Sequence, residues 1–147
     1  MADIPEVRSE FVIGETARLT KTIAERDIAI LAELTGDFNP IHINDEFAQR
    51  TRFQGRIAHS IISAGLISAI LGMNLPGPGA IYLSQMLNYL YPTRVGDTLT
   101  AEVEVAKWNM EKNIIHLNTR CFNQDEIDIV EGEAVLLIEP LRPNVVG

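Results

Sequence analysis

Two residues able to move protons stand five positions apart in a segment of this chain that is dense in turn formers. Asp37 and His42 lie within residues 35–42 (TGDFNPIH), and a loop held by glycine and proline can point both side chains into one space. A carboxylate beside an imidazole can hold a water molecule and act on it as acid or base. The spacing alone also allows a structural alternative, in which Asp37 caps a turn and His42 packs beneath it.

A second candidate feature is the start of an apolar segment. His59 stands immediately before residues 60–71 (SIISAGLISAIL), which the pattern predicts to be a buried helix. The first amide N–H groups of a helix have no partner within it and lie at the positive end of its dipole. Residues 59–61 can therefore stabilise negative charge on an oxygen with backbone donors alone. The alternative for His59 is capping or packing at the helix entrance.

Four other polar residues have structural explanations. His116 lies in an alternating strand and is expected to face solvent, while Asp97 follows a glycine in a tight turn. Cys121 falls within an apolar strand and is predicted to belong to the core rather than to act as a nucleophile. Asn39 is expected to hydrogen-bond the backbone of its own loop. These residues therefore define no separate active site.

The elements that position the candidates follow from periodicity and from turn residues. Apolar residues on one helix face predict a first helix, which begins at Thr22 or Glu25 and ends at Gly36. The residues of this face are Ala24, Ile28, Leu31 and Leu34. Asn44 or Asp45 begins a short helix that continues through Gln49. Strands are predicted at 16–22, 81–92, 98–108, 114–122 and 129–139.

The order of these elements predicts an α+β fold with one antiparallel sheet and helices on one of its faces. Residues 60–71 are apolar all round, so we expect that helix to be buried on every side by a curled sheet. The chain, residues 1–147, is predicted to be a single domain, and residues 1–12 and 140–147 are expected to be tails.

The composition indicates a protein with a substantial core and an acidic balance. Hydrophobic residues make up 46% and charged residues 22% of the chain, which argues against disorder. The net charge is −8, from 12 basic and 20 acidic residues, and this argues against a nucleic-acid partner. The single cysteine excludes an internal disulfide. No metal site is predicted, because Asp37, His42 and His59 lack a standard ligand spacing.

Neither export nor membrane insertion is expected. The first ten residues (MADIPEVRSE) lack the basic start and the apolar centre of a signal peptide. The apolar stretch 57–75 contains several small and polar residues, too many for a membrane helix. One cysteine suits a reducing compartment, so we expect a cytoplasmic protein.

Residues 34–42 (LTGDFNPIH), with Ala48 six positions on, closely resemble the signature of the MaoC-like dehydratases. Further matches follow in order: 56–59 (RIAH), 75–77 (LPG), 81–83 (IYL), Pro92, 95–97 (VGD) and 101–103 (AEV). The resemblance covers about residues 10–138 and extends to the short, single-domain (R)-specific enoyl-CoA hydratases. It implies a hot-dog fold, in which an antiparallel sheet wraps a long central helix. It also implies a homodimer, since pairing of subunits covers edge strands.

The resemblance implies reversible hydration of trans-2-enoyl-CoA to (R)-3-hydroxyacyl-CoA. Asp37 and His42 match the pair that holds and activates water, one of the two delivering the α-proton. The thioester oxygen is expected to accept from the Ser60 amide at the start of the central helix. Ser68 matches a serine near the acid–base pair, although it can instead bond back to a helix carbonyl. Further substrate-binding candidates are Asn39, His59 and Arg56.

One position departs from the family pattern, because Ser60 stands where relatives usually have glycine. The backbone N–H is the same, so the serine side chain affects substrate fit more than the reaction. Arg50, Arg52 and Arg56 lie within seven positions and form either a patch for CoA phosphates or a solvated face. No cofactor is expected, because CoA is part of the acyl-CoA substrate.

Alternative functions stay open. One is a hydratase or dehydratase for branched, dicarboxylic or carrier-protein-bound thioesters. Another is a non-catalytic acyl-CoA-binding hot-dog protein, against which the presence of both Asp37 and His42 counts. Leu71 and Met73, near the helix end, are candidates for the wall of the acyl pocket. Polymer precursor supply and fatty-acid oxidation need the same reaction, so the sequence does not distinguish between these pathways.

Overall fold

The computed structural model describes residues 3–144, which contain a five-stranded antiparallel sheet. Its strands are β1 Thr16–Thr22, β2 Ala80–Tyr89, β3 Thr98–Asn109, β4 Ile114–Phe122 and β5 Asp128–Ile138. Their order across the sheet is β1-β3-β4-β5-β2. All five predicted strands are confirmed, and the largest boundary difference is at β2, which ends at Tyr89 rather than at position 92.

Strand β3 shows how alternation builds the core. Leu99, Ala101, Val103 and Val105 are fully buried, whereas Glu104 on the opposite face is exposed. Successive strand residues point to opposite faces, so a polar–apolar alternation forces the sheet to curl its apolar face inward. Burial of that face supplies most of the free energy that stabilises the fold.

Four helices follow β1 and precede β2 in the chain: α1 Glu25–Thr35, α2 Pro40–Ile43, α3 Asp45–Gln49 and α4 Ile61–Met73. The longest, α4, packs against all five strands through buried side chains that include Ile67, Ile70 and Leu71. The predicted hot-dog arrangement, a curled sheet around a central helix, is therefore confirmed. Within residues 3–144, none of the helices combines the length and apolar character that crossing a membrane requires.

The prediction that α4 is buried on every side is wrong for a single chain. Ile61 is 52% exposed and Met73 is 75% exposed, and Gly65, Ser68 and Ala69 on the same side are exposed as well. The sheet of one chain covers only one side of the helix. Apolar composition shows that a helix face avoids water, but it does not say which chain covers that face.

Helix α1 begins at Glu25, the second of the two predicted starts, and ends at Gly36 as predicted. Gly36 adopts a φ of 78°, which favours glycine, and its N–H donates to the Ala32 oxygen at 2.8 Å. The buried stripe of α1 runs through Ile28 and Ala32. Leu34, expected on the apolar face, lies away from that stripe and is 79% exposed.

The loop after α1 contains a short helix, α2, that the sequence did not predict. Pro40 is its first residue, and the Asn39 side chain accepts from the Ile41 N–H at 3.2 Å. Proline suits the first helical position, because the N–H that it lacks has no partner there. Pro40 thus begins a helix rather than only interrupting one, and His42 lies on its second half.

Candidate active site

The Asp37 carboxylate is oriented by its own loop. The Asp37 N–H donates to Thr35 Oγ1 at 3.1 Å, and the Asn39 N–H donates to Asp37 Oδ1 at 3.1 Å. Asp37 Oδ1 is therefore engaged by the backbone, whereas Asp37 Oδ2 points toward His42. The expected bonding of Asn39 to its loop backbone is confirmed by its side chain, which accepts from the Ile41 N–H.

His42 completes a pair with Asp37. Its Nδ1 lies 2.7 Å from the Ile57 carbonyl oxygen, and a carbonyl can only accept, so Nδ1 carries the proton of the neutral ring. Its Nε2 is then an acceptor and lies 4.0 Å from Asp37 Oδ2. The ring is 8% exposed. The structure thus brings the two residues together as predicted, with two acceptor atoms facing each other.

His59 lies beneath this pair. Its Nε2 is 3.0 Å from the Asp37 backbone oxygen and 4.0 Å from Asp37 Oδ2. The His42 and His59 rings stack, with centroids 4.0 Å apart and an interplanar angle of 29°. His59 is 2% exposed, so it does not reach the surface from which a substrate approaches.

The same three side chains offer ligand atoms within 4.8 Å of one another: Asp37, His42 and His59. Sequence spacing predicted no metal site, yet the fold clusters the groups. A metal ligand must present a lone pair. His59 Nε2 donates its proton to the Asp37 carbonyl oxygen, so this nitrogen does not present one, and the absence of a metal site stays a prediction.

Backbone donors at the start of α4 adjoin the pair. Ser60 is exposed and has helical φ and ψ of −57° and −30°. Its carbonyl accepts from the Ser63 hydroxyl at 2.8 Å. Within residues 3–144, the Ser60 N–H has no hydrogen-bond acceptor, so it is available to an oxygen at the helix dipole's positive end.

An open apolar groove of about 620 Å³ runs along the exposed side of α4 toward β2. Thr35 and Ile61 line one part of it, close in sequence to Asp37 and Ser60. Its other lining residues are Leu31, Ala64, Gly65, Ser68, Tyr82, Gln85, Leu87 and Tyr89. The groove therefore offers an apolar surface whose lining includes residues that adjoin, in the chain, the Asp37 loop and the start of α4.

Ser68 lies in this groove beside two polar residues of β2. The Tyr82 hydroxyl donates to Gln85 Oε1 at 2.9 Å, and Gln85 Nε2 donates to Thr119 Oγ1 at 3.0 Å. Burial raises the pKa of Tyr82, and hydrogen bonding to Ser68 offsets part of that rise. Sequence reasoning missed Tyr82 and Gln85, because strict alternation places residues three apart on opposite faces of a strand. The irregularity in β2 between Tyr82 and Ser84 brings both residues to the groove. A catalytic role for Ser68 stays a prediction.

Arg56 is held away from the groove by two carboxylates. Its Nε donates to Asp45 Oδ1 at 2.8 Å, and its Nη2 donates to Glu25 Oε2 at 3.0 Å. Its Nη1 also donates to the His42 carbonyl at 3.3 Å. Of the two alternatives for the three arginines, a phosphate patch or a solvated face, neither describes Arg56, which binds protein acceptors. These contacts brace the site, and binding of substrate by Arg56 stays a prediction.

The remaining expectations are met by local contacts. Cys121 is fully buried, and burial raises the pKa of its thiol to about 12, so it is a core residue and not a nucleophile. Asp97 closes its turn by accepting from the Arg94 N–H at 2.9 Å. His116 lies on the outer face of β4, away from α4.

The fold and this site define a class of protein. Residues 10–125 match the family model described as MaoC like domain, and the chain belongs to that family. It is 47% identical over 125 residues to an (R)-specific enoyl-CoA hydratase of Rhodospirillum rubrum, which covers 85% of this chain and 86% of that protein. It is 45% identical over 139 residues to a 3-hydroxybutyryl-CoA dehydratase of Methylorubrum extorquens, covering 92% and 88% of the two chains.

Solved structures agree with this assignment. The (R)-hydratase from Aeromonas caviae, described as involved in PHA biosynthesis, superposes with a TM-score of 0.83 at 43% identity, over 87% of this chain and 97% of that one. An unliganded R-hydratase from Pseudomonas aeruginosa gives a TM-score of 0.84 at 39% identity, over 95% of both chains.

Proposed function

We propose that this protein is an (R)-specific enoyl-CoA hydratase, a hydro-lyase that reversibly adds water to trans-2-enoyl-CoA. The observation that carries the proposal is the approach of Asp37 Oδ2 and His42 Nε2 to 4.0 Å beside the start of α4. The names of relatives at 44–47% identity support the same reaction. The established part is the family; the substrate is our inference.

The Asp37–His42 pair suits activation of water. Both facing atoms accept hydrogen bonds, so one water between them donates both of its O–H groups and directs a lone pair outward. One of the two takes a proton as the water oxygen bonds to the β-carbon, and the double-bond electrons move toward the thioester oxygen. One member of the Asp37–His42 pair then delivers a proton to the α-carbon. Each positioned transfer contributes about 10²–10⁴-fold.

The start of α4 suits the negative charge that this step creates. The Ser60 N–H points from a helix N-terminus and is exposed, as a donor to the thioester oxygen must be. Removal of one such donor from other enzymes costs about 3 kcal/mol of transition-state stabilisation. The serine side chain does not remove this donor, so the reaction is compatible with Ser60 in place of glycine.

The groove and two arginines suit the rest of an acyl-CoA. Its largely apolar lining fits an acyl chain. Arg50 and Arg52 are exposed and close in sequence to Arg56, and they are the candidates for the CoA phosphates, since Arg56 is engaged. The protein needs no cofactor beyond the CoA of its substrate, and we expect it to act in the cytoplasm.

The proposal also includes a homodimer and a use for the reaction product. The isolated chain exposes the apolar edge strand β2 and one side of α4, and a homodimer covers such surfaces. The product, an (R)-3-hydroxyacyl-CoA, suits polymer precursor supply, and the Aeromonas caviae (R)-hydratase is described as involved in PHA biosynthesis.

The test is a hydration assay on a series of trans-2-enoyl thioesters of increasing chain length, followed by loss of their ultraviolet absorbance. Each acyl group is presented both on CoA and on an acyl-carrier protein, because two plant relatives of 30–32% identity are named as dehydratases of carrier-bound substrates. We expect turnover of the CoA series. Turnover of carrier-bound substrates alone would move the proposal to that class, and inactivity on both would overturn it.

A further inference from the structure

His59 contacts the acid–base pair from the side that faces the protein interior. Its side chain is 2% exposed, so the role in substrate binding expected from the sequence has no access route. Its contacts are with the loop that carries Asp37 and with the ring of His42. These contacts serve either packing alone or the geometry of the Asp37–His42 pair.

One hydrogen bond of His59 links two parts of the site. Its Nε2–H donates to the Asp37 carbonyl at 3.0 Å, which ties down the loop that orients the Asp37 carboxylate. His59 is also the residue before Ser60, whose N–H is the proposed oxyanion donor. A single imidazole therefore fixes the spacing between the acid–base pair and the start of α4.

Stacking restrains the partner of Asp37. The His42 ring is held on one side by its Nδ1–H bond to the Ile57 carbonyl, at 2.7 Å, and on its face by His59, at a centroid distance of 4.0 Å. Rotation of the ring is blocked by both contacts. His42 Nε2 is consequently held toward Asp37 Oδ2.

The other ring nitrogen argues against a role in packing alone. Within residues 3–144, His59 Nδ1 is the buried side-chain polar atom without a hydrogen-bond partner, and such an atom destabilises a fold. A phenylalanine would fill the same space without this cost. The Nε2–H donor therefore explains why a histidine rather than a phenylalanine stands at position 59.

We propose that His59 is a positioning residue, which holds the Asp37 loop and the His42 ring in register with the Ser60 amide. This role rests on the proposed hydratase function and deepens it. His59 acts through its neighbours and does not touch the substrate. Displacement of reacting groups by about 1 Å can cost about 10²-fold in rate, so loss of this restraint lowers turnover rather than affinity.

Three substitutions distinguish the effect of losing the Nε2–H donor of His59 from the effect of losing its stacked ring. His59→Phe keeps a stacking ring and loses the donor, His59→Gln places an amide N–H near the Nε2 position, and His59→Asn places one near Nδ1. We expect His59→Phe and His59→Asn to lower kcat about 10–100-fold with KM within about threefold, while His59→Gln recovers to within about fivefold of the wild type. His116→Phe, on the outer face of β4, is the control for substitution of a histidine.

Steady-state kinetics on the most active thioester distinguish a positioning role of His59 from packing alone. Thermal unfolding of each variant is measured alongside. Wild-type kcat in His59→Phe, or a raised KM with unchanged kcat, would overturn the positioning role. If His59→Phe does not fold, the comparison of His59→Gln with His59→Asn provides the test. Recovery of kcat in His59→Gln alone supports the positioning role, and equal activity of the two variants refutes it.

Nitrogen NMR of the histidine side chains tests the geometry without any substrate. We expect opposite neutral tautomers in the stacked rings, with the proton on Nδ1 in His42 and on Nε2 in His59. A proton on Nδ1 of His59 would contradict the bond to Asp37. If no thioester is turned over but these tautomers are found, the proposed function fails while the positioning geometry stands.

Discussion

At the scale of single residues, the two oxygens of Asp37 have different tasks. Oδ1 accepts from the Asn39 N–H at 3.1 Å, and Oδ2 faces His42 Nε2 at 4.0 Å. The first contact fixes the carboxylate plane and leaves the second oxygen available to a water. The side chain is 49% exposed, so its replacement alters chemistry much more than packing.

Substitution of Asp37 by asparagine should therefore stop turnover without unfolding the protein. The amide keeps the shape of the carboxylate but cannot take a proton, and we expect kcat to fall by at least about 10²-fold. Thermal unfolding and steady-state rates measured together check this. Asp125→Asn, in an exposed turn, is the matched control. An Asp37→Asn variant as active as that control would refute the role assigned to Asp37.

The proposed oxyanion donor is tested by removing one N–H. Ser60 has a φ of −57°, which proline can adopt, and its N–H has no acceptor within the described residues. We expect Ser60→Pro to lower kcat by about 10²-fold or more, whereas Ser60→Ala, which keeps the N–H, stays near the wild type. Equal rates for the two variants, with circular dichroism showing both folded, would exclude the backbone donor.

At the scale of elements, the site is assembled from short pieces that need external bracing. Arg56 donates to Glu25 on α1 and to Asp45 on α3, and it also reaches the carbonyl of His42 on α2. Helices α2 and α3 have four and five residues and are too short to be stable alone. Their placement depends on such contacts.

Loss of the Arg56 brace should appear as a pH-dependent loss of stability. Hydrogen bonding to Arg56 lowers the pKa of Glu25 in the folded chain. A carboxylate with a lowered folded pKa stabilises the fold above its unfolded pKa, and this contribution disappears as pH falls through the folded pKa. Arg56→Met should therefore lower the unfolding free energy at neutral pH, by at most about 1 kcal/mol for these exposed partners.

Urea unfolding at several pH values, with Lys107→Met on β3 as control, measures that difference. It should shrink as pH falls below about 4, near the unfolded pKa of glutamate. We expect little change in KM for enoyl-CoA. A large rise in KM without loss of stability would instead restore Arg56 to the substrate-binding residues.

Sequence prediction worked where the determinants are local. Gly36 ends α1 and Pro40 shapes the next turn within a few positions, so the approach of Asp37 to His42 was predictable. The ion pair of Arg56 was not predictable, because its partner Glu25 lies 31 positions away. The exposed side of α4 was misread, since apolar residues next to a sheet and next to a second chain have the same pattern.

At the scale of the whole molecule, one edge of the sheet is poorly protected. Among the described residues 3–144, strand β2 pairs only with β5. Its residues Ile81, Leu83 and Met86 are 49%, 53% and 50% exposed. Exposed apolar edge strands invite pairing with another chain. The groove beside α4 opens on the same side, so a second copy placed there also shields the site.

We therefore expect a homodimer in solution. Light scattering coupled to size-exclusion chromatography should give twice the chain mass of 16.3 kDa. Leu83→Lys should favour the monomer, because it places a charge on the β2 surface, while Val12→Lys, at a residue 69% exposed outside the strand, should not. A monomeric wild type at micromolar concentration would contradict this expectation.

In the proposed reaction, Asp37 and His42 direct the addition of water to one face of an enoyl thioester. Hydration of trans-2-butenoyl-CoA in deuterium oxide, with chiral analysis and mass spectrometry of the product, tests this directly. We expect (R)-3-hydroxybutyryl-CoA with one solvent-derived deuterium on the α-carbon. An (S) product, or no hydration by the wild-type protein, would contradict it.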